Sequence, residues 1–114
     1  MVILGYVGTA IVFDVITGII KAVKRGEFTS SVMREGLFHK VGEALAVCLA
    51  IFMEYYVRTY FPDITIPIIF FVSVYIIMME IGSIIENIAV LNPDVAKPLS
   101  TIFDKLKEFN DEKK

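Results

Sequence analysis

The chain has 114 residues, a formal net charge of −2 and a composition that is 56% hydrophobic, well above the apolar share of an ordinary soluble domain. Near-balanced charge gives no electrostatic basis for a nucleic-acid partner, and a single cysteine, Cys48, excludes an internal disulfide or a thiolate zinc site and reads as a buried, inert thiol. An integral membrane protein is the class these quantities leave.

The first apolar run covers residues 2–20. Roughly 20 apolar residues in a helix rising ~1.5 Å per residue cross a bilayer core of ~30 Å. The run lacks a basic leading region and an Ala-x-Ala-like site, so it is expected to remain as a membrane span and not to be cleaved as a signal peptide. It contains one charge, Asp14. A central Asp costs about 2.5 to 3.5 kcal/mol on the insertion scale, and each Ile, Val, Leu or Phe returns about 0.3 to 0.6, so the run still inserts. At ~100° per residue, Ala10, Asp14, Thr17, Gly18 and Lys21 share a face that should meet other helices or water. Two readings of Asp14 stand: a pairing that fixes helix packing, and a pore-lining or gating role.

Residues 21–40 form a strongly basic connection, with Lys21, Lys24, Arg25, Arg34 and Lys40 against Glu27 and Glu35. Gly26 is a helix stop ahead of Thr29, Ser30 and Ser31. The second span, about 41–61, carries Glu43, Val47, Ala50, Glu54 and Arg58 along one stripe. Glu43 is close enough to Lys40 to be interfacial, whereas Glu54 is the strong intramembrane candidate. Arg58 follows Glu54 at i+4, placed either to pair with it or to snorkel to the outer headgroups.

Pro62-Asp63 is a turn signal, and the third span covers about 64–85. Ser73, Glu80, Ser83 and Asn87 share one of its stripes, with Gly82 and Glu86 on another side. Asn92-Pro93-Asp94 breaks the pattern. Residues 92–114 form a tail in which Leu99, Ile102, Phe103, Leu106 and Phe109 have helical spacing, giving a short amphipathic helix over about 98–109 with Pro98 in its first turn. That helix either lies on the membrane surface or packs against a partner.

The expected fold is therefore all-α: a transmembrane unit over residues 1–91 with three spans, a basic cytoplasmic connection, and a cytoplasmic tail. Lysine and arginine asymmetry puts the N-terminus outside, the basic connection and C-terminus in the cytoplasm, and the Pro62 turn outside. Asp14 and Glu80 then fall in the cytoplasmic half, near the inner ends of their spans, where they can line one aqueous path. Nothing suggests catalysis, a cofactor or a metal: there is no phosphate-cradling glycine loop or nucleophile–base pair, and His39 sits at the inner boundary beside Lys40.

The pattern Asp14-x-x-Thr17-Gly18-x-x-Lys21-Ala22, then Ser30-Ser31, Gly36-Leu37-x-x-Lys40, and Glu80-x-x-Ser83-Ile84-x-Glu86-Asn87 before a proline break and Pro98-Leu99, resembles the phage lysis and toxin-secretion holin family, whose members include the clostridial toxin-release holin. The resemblance covers nearly the whole chain. It implies a small protein of the cytoplasmic membrane, from a phage or prophage, that assembles with itself in the lipid and opens lesions releasing an endolysin or a toxin. Asp14, Thr17, Gly18, Lys21, Glu54, Glu80, Ser83 and Asn87 are the candidate assembly or pore-lining groups. Competing readings are a selective small-ion or proton-coupled transporter, since membrane carboxylates also relay protons, and a non-conducting adaptor. The absence of an internal repeat counts against the transporter.

Overall fold

Four helices account for nearly all of residues 2–112, the part of the chain that the computed structural model describes. They are α1 (Val2–Arg25), α2 (Ser30–Tyr60), α3 (Ile68–Leu91) and α4 (Pro93–Glu112). Positions 1, 113 and 114 of the two expected units lie outside the described residues. The fold is all-α, and α1, α2 and α3 are each long and apolar enough to cross a membrane, as in a multi-pass protein.

The helices run further than the apolar runs. Lys21 to Arg25 continue α1, because long basic side chains are good helix formers and their charges favour a helix C-terminus. The stop is at Gly26, whose φ of 69° only glycine adopts freely. There the Gly26 N–H donates to the Val23 carbonyl (3.2 Å) and the Glu27 N–H to the Ala22 carbonyl (2.9 Å), a Schellman closure. Three residues later Thr29 caps α2, its Oγ1 accepting from the Val32 N–H at 3.2 Å. The basic connection therefore shrinks to residues 26–29. Arg34, Glu35 and Lys40 ride on the first turns of α2.

At the other end of α2, the Phe61 N–H donates to Val57 O (2.8 Å) and the Ile64 N–H closes a turn on Phe61 O (2.9 Å). Helix α3 starts at Ile68, four residues beyond the expected 64, because Pro67 restricts Ile66 to extended backbone and has no N–H to donate. Asn92 alone separates α3 from α4. Its N–H donates to Ile88 O (2.7 Å) and its Oδ1 accepts from the Val95 N–H (3.3 Å). With that cap in place, α4 begins at Pro93, a favourable first position, and Pro98 falls inside the helix where it removes one backbone bond.

Helix α3 is the hub, packed against each of the other three. Helix α1 runs parallel to it, since Asp14 and Thr17 reach Asn87, and Lys24 Nζ donates to Val90 O at 2.7 Å. Helix α2 runs antiparallel, with Lys40 beside Glu80 and Glu54 beside Ile69. Helix α4 folds back: a Cβ at Gly82 would lie 3.4 Å from the Phe103 ring. Helix α4 thus packs on the chain's own α3. The whole measures 53 × 33 × 18 Å, a thin slab of helices.

Burial in this slab is inverted relative to a soluble protein. Val7, Ala22, Ala50, Ile69, Ile76 and Ala96 are buried, but so are Thr17, Glu43, Glu54, Ser73, Glu80 and Asn87, while Phe38, Phe52, Tyr60 and Tyr75 are more than 60% exposed. Such an exterior is stable only where hydrocarbon takes the place of water, and small residues and polar contacts then hold the helices together. Cys48 follows the same inversion: it is exposed on α2, contrary to the expected buried thiol, because only a narrow seam of α2 faces α3.

Candidate functional site

Four of the buried polar residues, Thr17, Glu43, Glu80 and Asn87, belong to one cluster where α1, α2 and α3 meet. At its centre is Lys40. Its Nζ donates to Asp14 Oδ2 on α1 (2.6 Å) and to Glu80 Oε2 on α3 (2.5 Å), and lies 3.4 Å from Glu43 Oε1 one turn along α2. One ammonium thus faces three carboxyls. The Lys40 side chain is 16% exposed, that of Asp14 13%, Glu43 6% and Glu80 2%.

Asn87 ties the cluster to the α1–α3 contact. Its Nδ2 donates to Asp14 Oδ1 (3.0 Å) and to Thr17 Oγ1 (3.0 Å), and Thr17 in turn donates to the carbonyl of Phe13 (3.0 Å). Gly18 borders this contact: a Cβ there would sit 3.6 Å from Asn87 Nδ2, an ordinary van der Waals distance. Glu43 is the least satisfied member. His39 Nδ1 lies 3.0 Å from Glu43 Oε1, but neither that contact nor the one to Lys40 has hydrogen-bond geometry, so both Glu43 oxygens are buried without a donor. Ser73 Oγ, higher on the same α3 seam, also lacks one.

The cluster is deep. Asp14 is twelve residues from Val2 and Glu80 twelve from Ile68, which places each ~18 Å along a helix of ~36 Å. Both stand at mid-helix because α1 and α3 extend beyond the expected spans, to Arg25 and Leu91. Glu43, expected at the interface, is buried for the same reason: α2 starts ten residues before Lys40, so this region is interior helix and not a boundary.

A second polar node lies fourteen residues further along α2, ~21 Å by helical rise. Glu54 Oε1 accepts from the Ile69 N–H (3.0 Å), one of the free donors at the start of α3, and Glu54 Oε2 pairs with Arg58 (3.0 Å). A buried carboxylate here caps the neighbouring helix.

Of the eight candidates, the structure gathers Asp14, Thr17, Gly18, Glu80 and Asn87 at one site and puts Glu54 at the other node. Lys21 is half-buried and in no ion pair among the described residues, and Ser83 is half-buried outside the network. The central cation was missed. Lys40 looked like part of a polar loop; the signal that marks it is the spacing Lys40, Glu43, Val47, Ala50, Glu54, which extends the buried seam of α2 one turn further back. Among the described residues no group of His, Cys, Asp or Glu side chains is arranged to hold a metal ion.

In comparisons with known proteins, residues 2–108 match the bacteriophage holin family. The match is to the family at large and singles out no toxin-releasing member. No curated protein and no solved structure matches the chain.

Proposed function

We propose a membrane-permeabilising role for this chain, which belongs to the bacteriophage holin family: copies assemble in the cytoplasmic membrane and open lesions that release an endolysin or a toxin. The observation that carries the reading is the Asp14–Lys40–Glu80 junction, a buried charge cluster that joins three helices and sits midway along two of them, each long and apolar enough to cross a membrane. Charged groups midway along such helices are held by partners or by water. In one copy the partners are internal and the cluster is closed. A single slab of three spans cannot enclose a wide aqueous hole, so opening requires many copies.

In this mechanism Lys40 is the clasp. Its bonds hold α2 against α1 and α3, and α2 has few other buried contacts, so it is the helix freest to swing away. When copies crowd, exchange of these intramolecular pairs for pairs between copies, or for water, turns the polar seam toward an opening. The orientation that accompanies this reading has the N-terminus outside and the basic end of α1 and α2 in the cytoplasm.

Induced expression beside a cytosolic endolysin tests it. Abrupt loss of membrane potential followed by lysis is expected; sustained growth with high, correctly inserted protein overturns it. Dye release from reconstituted vesicles separates the alternatives. Passage of molecules far larger than hydrated ions supports a lesion. Passage of protons or small ions alone would make the carboxyl cluster the relay of a proton-coupled transporter, and sealed vesicles would indicate an adaptor.

A further inference from the structure

We propose that α4 is the wall of the opening that meets water, with its charged face toward the lumen and its apolar face toward α3 and lipid. This rests on the permeabilising role above and specifies which surface of the chain becomes wet.

Depth is the first argument. Gly82 precedes Asn92 by ten residues and Phe103 follows it by eleven, so each lies ~15 Å from the turn, yet the Phe103 ring reaches the site where a Gly82 Cβ would be, at 3.4 Å. Two arms of equal length whose ends touch diverge at an acute angle. Helix α4 therefore returns alongside the half of α3 that holds Gly82 to Leu91, within a helix long and apolar enough to span a membrane. Ala96 is buried by this packing, and Leu99 and Phe103 are half-buried.

Sidedness is the second. At ~100° per residue, Val95, Ile102 and Leu106 continue the apolar sector beside the packed residues and are 50%, 56% and 45% exposed. On the opposite pole stand Lys97, Asp104, Glu108 and Asp111, all exposed, and none of the four is in a salt bridge among the described residues. Lys107 borders the apolar sector, its ammonium 5.1 Å from the Phe103 ring centre, as a snorkelling lysine does. The charged pole lies about a quarter turn from the residues packed on α3 and opposite the exposed apolar sector. At hydrocarbon depth such a face is tolerated only where it lines a water-filled space. No single copy supplies that space; a ring of copies does.

The test uses the full chain with Cys48→Ser, which removes its only cysteine, reconstituted in planar bilayers. Asp104→Cys and Glu108→Cys probe the charged pole, and Ile102→Cys the apolar sector. Each is modified with a cationic or an anionic methanethiosulfonate, and the cation-to-anion permeability ratio is read from reversal potentials, with modification measured by mass. At 104 and 108 the two reagents should move the ratio in opposite directions, by about twofold or more, and at 102 they should leave it unchanged. Conducting bilayers whose ratio ignores adducts at 104 and 108, or whose thiols there resist modification, overturn the inference and leave α4 outside the opening. Bilayers that never conduct, even with the unmodified chain, overturn the permeabilising role itself.

Discussion

The two polar nodes of α2 use the same residue types to different ends. At the Lys40 node, the cation and its main partners come from three helices and positions 26 and 40 residues apart in the chain, and every member is largely shielded. At the Glu54 node, the cation is one turn away on the same helix, Arg58 is 64% exposed, and the hydrogen bond to another helix comes from a backbone N–H of α3. The first node determines how helices associate; the second finishes a helix end. A buried charge whose partners are distant in sequence is the one that registers a change in assembly.

Substitutions should rank accordingly. Lys40→Ala strands three carboxyls, and removing one partner of a buried ion pair costs about 3 to 5 kcal/mol. We expect the largest drop in reversible unfolding stability in lipid bicelles and, in copies that insert, earlier lysis onset. Equal stability to the parent chain would break the comparison. Asp14→Asn keeps the shape and an acceptor for Asn87 while removing the charge, so the loss should be about 1 kcal/mol, the difference between a charge-assisted and a neutral hydrogen bond. Altered lysis timing is the expected readout, and unchanged timing would make the charge at this position irrelevant.

Smaller effects belong to the second node. Glu54→Gln retains an oxygen for the Ile69 N–H and loses only the pairing with Arg58, a cost of about 1 kcal/mol or less with lysis timing preserved. Arg58→Ala should be the mildest, within about 0 to 1 kcal/mol, because an exposed pair is largely screened. A double-mutant cycle sharpens the contrast: Asp14 with Lys40 should show strong coupling and Glu54 with Arg58 weak coupling, both measured by the same unfolding assay. Inverted couplings would mean that local pairing governs this protein.

Much of this was legible in the residues, and the gaps have identifiable causes. Asp14, Thr17, Glu80 and Asn87 could be named because a charge or amide within an apolar run stands out against its neighbours. Lys40 could not, because a lysine beside His39 at the edge of an apolar run has the composition of a loop. What hid it was the reach of α2 back to Thr29, where a capping hydroxyl starts the helix well before the hydrophobic pattern does. Pro67 and Asn92 shifted the starts of α3 and α4 in the same way, through backbone donors and caps that hydropathy does not register.

By itself, the sequence determined the class of this protein: three apolar runs of membrane length, polar stripes at helical spacing, and breaks at Gly26, Pro62 and Asn92. These follow from local physics, since transfer of side chains to lipid and the backbone preferences of glycine, proline and asparagine act within a few residues. Only the tertiary structure decided which charge answers which, that Lys40 and not Lys21 closes the cluster, and that α4 returns along α3. Those outcomes depend on the register between helices, set by pairings between residues far apart in the chain, and no short stretch of chain contains that information.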